Sequence, residues 1–146
     1  MGTPFEQVYD RALTCIKDYK LDNLAKTDYA AFLLYWQSIL ELSVPFFTGC
    51  LTSLEYNTTA LEFNTILSNK EISILASIMV EKWFGKELND VTQFKLHLNN
   101  KEFKTYSENA NIKERSEYID RLREKYKKDI TDYQLSNLSK IPFFSL

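Results

Sequence analysis

Apolar residues in this chain recur mostly at spacings of three and four, the signature of helices that bury one face. In "TPFEQVYDRALTCIKDY" the stripe is Phe5, Val8, Tyr9, Ala12, Ile16 and Tyr19. Thr3 and Glu6 stand at capping-box spacing with Pro4 suited to the first helical position, which predicts a helix ending near Lys20. A polar hinge, "LDNLAKT", follows. The next segment, "DYAAFLLYWQSILELSVPFF", carries Tyr29, Phe32, Leu33, Trp36, Ile39 and Leu40 on a face widened by Leu34 and Tyr35. A helix so apolar is expected to be buried on most sides, with Pro45 stopping or bending it and Gly49 following as a breaker.

Between Leu54 and Phe63 the period changes. Leu54 and Tyr56, then Thr59, Leu61 and Phe63, alternate around Asn57 and Thr58. A small β-hairpin and an irregular loop with a helical turn both fit this pattern. From Ser68 the helical period returns in "SNKEISILASIMVEKWFG", with a capping box from Ser68 to Glu71 and a core face of Ile72, Leu75, Ala76, Met79 and Trp83. Gly85 reads as its stop. A short helix is then expected on Val91, Phe94 and Leu98, capped by Asn89 or Asp90, before an ordered loop punctuated by Phe103 and Tyr106.

The final helix is predicted from about Asn109 to about Asn137, roughly 40 Å long at 1.5 Å per residue. Its apolar stripe is narrow: Ile112, Ile119, Leu122, Tyr126, Ile130 and Tyr133. Glu117 with Arg121, and Glu124 with Lys128, are spaced to pair on the solvated faces. Such a seam can lie across its own bundle, or be shared with a neighbouring subunit through Tyr118, Tyr126 and Tyr133. The apolar stretch that follows, "IPFFSL", favours the second reading. The expected fold is therefore all-α, a bundle of four to five helices with a long C-terminal helix and room for one small β-hairpin. Residues 1–138 form the helical domain, and 139–146 an apolar docking tail.

Composition narrows the function. The chain has 146 residues, enough for one domain with its own core, and only three glycines and three prolines, which favours helices over turn-rich folds. No GxGxxG or GxxxxGK[ST] is present, so the common nucleotide cradles are missing. A net charge of -2 gives no bulk attraction to nucleic acid. The first ten residues lack the basic start and apolar run of a signal peptide, and no apolar run approaches a membrane span, so a cytosolic product is expected.

Cys15 and Cys50 have no CxxC spacing and are expected as buried or half-buried free thiols. His97 is the only histidine and has no partners at ligand or catalytic spacing. Ser107, in "TYSENAN", reads as a loop or cap residue. No cofactor, metal or catalytic residue is expected, and the chain is not expected to be an enzyme.

Two stretches carry a resemblance. "EFNTILSNKEISILASIMVEKWF" presents Phe63, Asn64, Leu67, Ser68, Glu71, Ile74, Leu75, Ala76, Met79 and Trp83. "EFKTYSENANIKERSEYIDRLREKYKKDI" presents Phe103, Tyr106, Ser107, Ala110 and Asn111 at the opening of the long charged helix. Together they resemble the head-tail connector (adaptor) proteins of tailed bacteriophages, over the C-terminal two thirds of the chain.

The resemblance implies a structural virion subunit, assembled in the host bacterial cytoplasm and located in the virion neck. Side by side, typically twelve-fold, such subunits form a ring under the portal protein. The ring meets a tail or stopper protein and extends the channel, through which genomic DNA passes without sequence-specific binding. No membrane and no cofactor are involved. The expected interface is Tyr118, Tyr126 and Tyr133, with Ile141, Pro142, Phe143, Phe144 and Leu146 docking on a partner. Folding of that tail onto its own bundle is the competing reading. The alternative function is a DNA-binding phage regulator or small terminase-like packaging subunit. It would need an exposed basic recognition helix, and Arg121 to Lys128 is the most basic stretch.

Overall fold

The computed structural model describes residues 2–16, 19–97 and 106–138. The described chain is all-α, with helices α1 (Phe5–Leu13), α2 (Tyr19–Thr27), α3 (Tyr29–Ser43), α4 (Asn69–His97) and α5 (Tyr106–Ser136). A 3-10 turn at Val44–Phe46 follows α3, and a two-stranded antiparallel hairpin joins β1 (Tyr56–Asn57) to β2 (Glu62–Phe63). Helix α4 is central and contacts α1, α3 and α5, while α2 packs on α3. Its first half is therefore buried almost all round, through Ile72, Ile74, Leu75, Ala76, Ile78, Met79, Val80 and Trp83.

The capping box at the start of α4 forms as expected. Ser68 N–H donates to Glu71 Oε1 at 2.8 Å and Glu71 N–H donates to Ser68 Oγ at 3.2 Å. The box expected at Thr3 does not form. Pro4 is the N-cap residue of α1 and makes no side-chain cap bond. Thr3 is instead buried, its Oγ1 accepting the Leu67 N–H at 2.8 Å. Its backbone pairs with the hairpin region, Phe63 N–H donating to Thr3 O at 2.8 Å and Thr3 N–H to Thr65 O at 3.2 Å. The chain start thus lies along β2, where Phe5, Tyr56 and Phe63 meet edge to face.

The hairpin turn is held by Asn57, whose Oδ1 accepts the N–H groups of Thr59 and Ala60. This resolves the open choice at Leu54 to Phe63 in favour of the hairpin. An aspargine side chain that mimics a backbone turn is the physical reason.

Four helix boundaries differ from expectation, the first being that α5 opens at Tyr106 rather than near Asn109, which places Tyr106 and Ser107 within the helix and not in a loop. α1 ends at Leu13 rather than near Lys20, because the chain tightens into turns in which Cys15 N–H bonds Ala12 O and Ile16 N–H bonds Leu13 O. The "LDNLAKT" hinge lies within α2, where Leu21 is buried and Leu24 and Ala25 pack against the core. Gly85 does not stop α4, and the predicted short helix with its cap at Asn89 or Asp90 is a continuation of it. The side chains of Val91, Phe94 and His97 lie outside the described residues, as do Leu98 and Phe103. At α5 the expected Glu117–Arg121 and Glu124–Lys128 pairs are not among the ion pairs of the described residues; Arg123 pairs with Asp120, and Lys125 with Asp129.

Gly85 gives a direct test of the continuous α4. A Cβ added there meets nothing within 4 Å. Gly85→Ala should stabilise the protein by about 0.5–1 kcal/mol, because alanine costs less backbone entropy inside a helix. Thermal unfolding should shift upward by roughly 1–4 °C. A drop in Tm would instead indicate a left-handed stop at this position.

Candidate functional site

Helices α4 and α5 run antiparallel, and two buried carboxylates of α4 meet donors of α5. Glu71 is 3 % exposed and its Oε2 accepts the Tyr133 hydroxyl at 2.7 Å. Glu81 is 2 % exposed and its Oε1 accepts Arg123 Nε at 2.8 Å, with Lys82 Nζ at 3.2 Å from Oε2. Glu71 to Glu81 and Tyr133 to Arg123 are both ten-residue steps, about 15 Å along each helix. Both contacts are therefore made in one helical register.

The Glu71 end is a hub. The Tyr133 oxygen accepts the Leu51 N–H at 3.0 Å, and Cys50 Sγ donates to Glu71 Oε2 at 3.4 Å. Burial works to raise the Glu71 pKa, but the Ser68 N–H and the Tyr133, Thr52 and Cys50 side chains together outweigh it, leaving the carboxyl below its ordinary value. Burial first, then the negative charge of Glu71, pushes the Cys50 thiol up to about 11 against an opposing backbone bond from Thr52. At neutral pH the thiol is held as a hydrogen-bond donor and is a poor nucleophile. The hub is thus suited to fixing the 48–52 loop onto the helix pair.

Two of the three tyrosines expected at an interface are covered by the fold of the chain itself. Tyr126 is 2 % exposed and Tyr133 is 5 % exposed. Spacings of eight and seven place them on one face with Tyr118, but that face is largely the seam against α4. Tyr118 alone of the three is exposed, with its ring edge-on to Phe84 at 5.1 Å and Arg121 5.6 Å from its centroid. Ile141, Pro142, Phe143, Phe144 and Leu146 lie outside the described residues. Cys15 is exposed, contrary to expectation, and Cys50 is half-buried as expected.

The apolar surface lies elsewhere. α3 buries Phe32, Trp36, Ile39, Leu40 and Ser43 and half-buries Ala31, Leu33, Tyr35, Gln37 and Glu41, so it is covered on most sides, as expected, and leaves one row outward. Leu34 is 66 % exposed and Leu42 52 %, with Tyr29 and Phe46 also exposed at the two ends. Ala30 and Ser38 complete the same row at four-residue spacing, and Glu41 is the only charged residue of the helix. The signal was present in the sequence: a helix apolar all round has more apolar surface than one contact layer covers. A second exposed set, Leu61 and Ile66, lies at the hairpin.

Among the described residues no group of three His, Cys, Asp or Glu side chains could hold a metal ion, and no helix is long and apolar enough to cross a membrane. Comparisons with protein-family models, curated proteins and solved structures return no match.

The hub sets a pH dependence. Because the folded pKa of Glu71 lies below its ordinary value of 4.5, its contribution is present above that pH and lost as pH falls through the lowered folded value. Glu71→Gln should reduce stability at pH 7 by about 1–3 kcal/mol, since buried donors lose a charged acceptor. It should also flatten the loss of stability below pH 4.5, measured as denaturant midpoints across pH. In the native protein at pH 8, Cys15 should react rapidly with a disulfide reagent and Cys50 only as the hub opens. Equal fast rates for the two thiols would contradict the hub.

Proposed function

We propose that this chain is a structural subunit of a phage neck, a head-to-tail adaptor that assembles side by side into a ring beneath a portal and extends the DNA channel. The observation that carries the reading is the outward row of α3, on which Leu34 and Leu42 stand exposed, an apolar surface on a body whose buried carboxylates are already satisfied internally. Contiguous exposed apolar surface marks an interaction site. A ring contact joins two different surfaces of neighbouring copies, and the α3 row with the hairpin set Leu61 and Ile66 supplies two. The occupant of the α3 row is a second copy of this chain.

The motif residues that resemble connector proteins support the same reading in a specific way. Ser68 and Glu71 build the capping box, and Leu67, Ile74, Leu75, Ala76, Met79 and Trp83 are buried core. They are residues of architecture, as a mechanical part requires. The regulator alternative is less well supported, because its basic stretch is partly neutralised: Arg123 is paired with Glu81 and Asp120, and Lys125 with Asp129.

Negative-stain imaging and solution mass, with and without a cognate portal, test the proposal. Rings, or density added beneath the portal, are expected. Leu34→Asp with Leu42→Asp should reduce the assembled fraction at least tenfold while moving Tm by no more than about 2 °C, since both positions are exposed. A monomer that ignores the portal, or assembly indifferent to the α3 charges, would overturn it.

A further inference from the structure

Leu61 holds a backbone conformation that its side chain disfavours. It ends the turn at 58–61 between β1 and β2, and its φ of 56° is the only positive value outside glycine among the described residues. Hairpin loops place glycine or asparagine at such a left-handed position, because a Cβ there crowds the following carbonyl. A leucine at that point costs the isolated chain stability, and its side chain returns little, being exposed and outside the hydrophobic core. Backbone strain of this kind persists where the side chain has a use.

Ile66 stands near it in the chain and, at 74 % exposed, is the most open of the large apolar residues described. Both side chains sit on backbone that the chain start pins. Phe5 N–H donates to Leu61 O at 3.0 Å, Thr3 N–H to Thr65 O at 3.2 Å, and Leu67 N–H to Thr3 Oγ1 at 2.8 Å. The pair is therefore presented on a fixed platform, which lowers the ordering cost of a contact.

The platform is out of reach of Leu34 in the same chain. Tyr35, next to Leu34, meets Lys86, whose Nζ is 4.5 Å from the ring centroid. From Asn69 to Lys86 is seventeen residues of α4, about 26 Å, whereas the hairpin adjoins the start of that helix. The two surfaces also differ in charge. Residues 51–67 hold Glu55 and Glu62 and no lysine or arginine. The α3 row is bordered by exposed Lys86 and, at Phe46, by Lys82, while the one carboxylate of α3, Glu41, is half-buried and accepts from Gln37. An apolar pair with an acidic border thus complements an apolar row with a basic one.

We propose that the hairpin platform of one copy is the seat of the α3 row of the next, with Leu61 and Ile66 set against Leu34 and Leu42 and the hairpin carboxylates beside Lys86. The inference rests on the side-by-side assembly proposed above. It adds which two faces meet, head to tail, and gives Leu61 its reason: folding stability is yielded for a side chain that a neighbour covers.

Two variants of the full chain test it, one carrying Leu34→Asp and Leu42→Asp, the other Leu61→Gly and Ile66→Thr. In sedimentation at the highest soluble concentration, each alone should be monomeric. Their equimolar mixture should form a 1:1 pair that grows no further, because the first variant keeps only a hairpin seat and the second only an α3 row. A mixture that stays monomeric would overturn the proposal, as would a hairpin variant that assembles like the native chain. So would a hairpin variant that dimerises alone, which would show α3 meeting α3. Leu61→Gly by itself should lower the assembled fraction at least tenfold while Tm holds or rises by up to about 4 °C. A fall in Tm beyond about 2 °C would make Leu61 a packing residue of its own turn and overturn the role given to it. The two readings fail separately. A 1:1 pair from a chain that builds no ring on a portal keeps this inference and removes the neck reading, and portal-bound rings indifferent to Leu61 and Ile66 do the reverse.

Discussion

The fold depends on two carboxylates that α4 carries into its own core. A buried carboxylate without a partner costs several kcal/mol, so each must find donors in the folded chain. Glu71 finds the Tyr133 hydroxyl, the Ser68 N–H and Cys50; Glu81 finds Arg123 and Lys82. Because the donors on α5 are ten residues apart, as the acceptors on α4 are, both are satisfied only in the observed register. A slip of one turn along the pair takes the α5 donor from both carboxylates at once and leaves each with its remaining partners alone, whereas apolar contacts would tolerate it with modest loss. The hydrophobic seam of Ile74, Ile78, Tyr126 and Ile130 supplies the adhesion, and the carboxylates supply the alignment.

The same anchor organises the loop that follows α3. Tyr133 accepts from Leu51 and donates to Glu71, so one side chain ties the loop to both long helices. Gly49 adopts φ 71°, a left-handed conformation that a side chain would strain, and its Cα faces the Gln134 side chain of α5. The same end of α4 is held from a second side. Thr3 contributes its hydroxyl to the Leu67 N–H just before the capping box, which couples the chain start to the start of α4. α4 is therefore constrained at its N-terminus by backbone pairing and along its length by charge.

What was legible in the sequence is what local chemistry decides. The capping box of α4, the core stripe of α4, the hairpin around Asn57 and the length of α5 follow from spacing and residue type. The misreadings arise where a tertiary partner overrode a local signal. Thr3 has the right neighbours for a cap, but Leu67 claimed its hydroxyl. Gly85 looks like a stop, yet one glycine costs only about 1 kcal/mol in a helix, and Phe84 packing against Tyr118 on α5 outweighs that. Tyr126 and Tyr133 read as amphipathic contact residues, and a tyrosine does offer both characters. No sequence pattern states whether the polar end faces water or a carboxylate sixty-two residues earlier, as at Tyr133 and Glu71.

The outward face of α3 completes the reasoning. With α1, α3 and α5 packed on α4 and α2 packed on α3, α3 is covered from two sides and keeps one outer row. α5 covers most of its remaining described surface with charge, Tyr118 and Leu135 being exposed exceptions. α3 does not: its outer row is Ala30, Leu34, Ser38 and Leu42, although polar residues there would leave the core contacts of Phe32, Trp36, Ile39 and Leu40 unchanged. Stability of the isolated chain therefore gives no reason for the apolar row, since each exposed leucine adds adhesion only once something covers it, about 1.5–3 kcal/mol if fully buried. Folding information is concentrated in the α4–α5 register and the surface row is independent of it. A body aligned by internal charge can present an apolar face without that face competing for its own core.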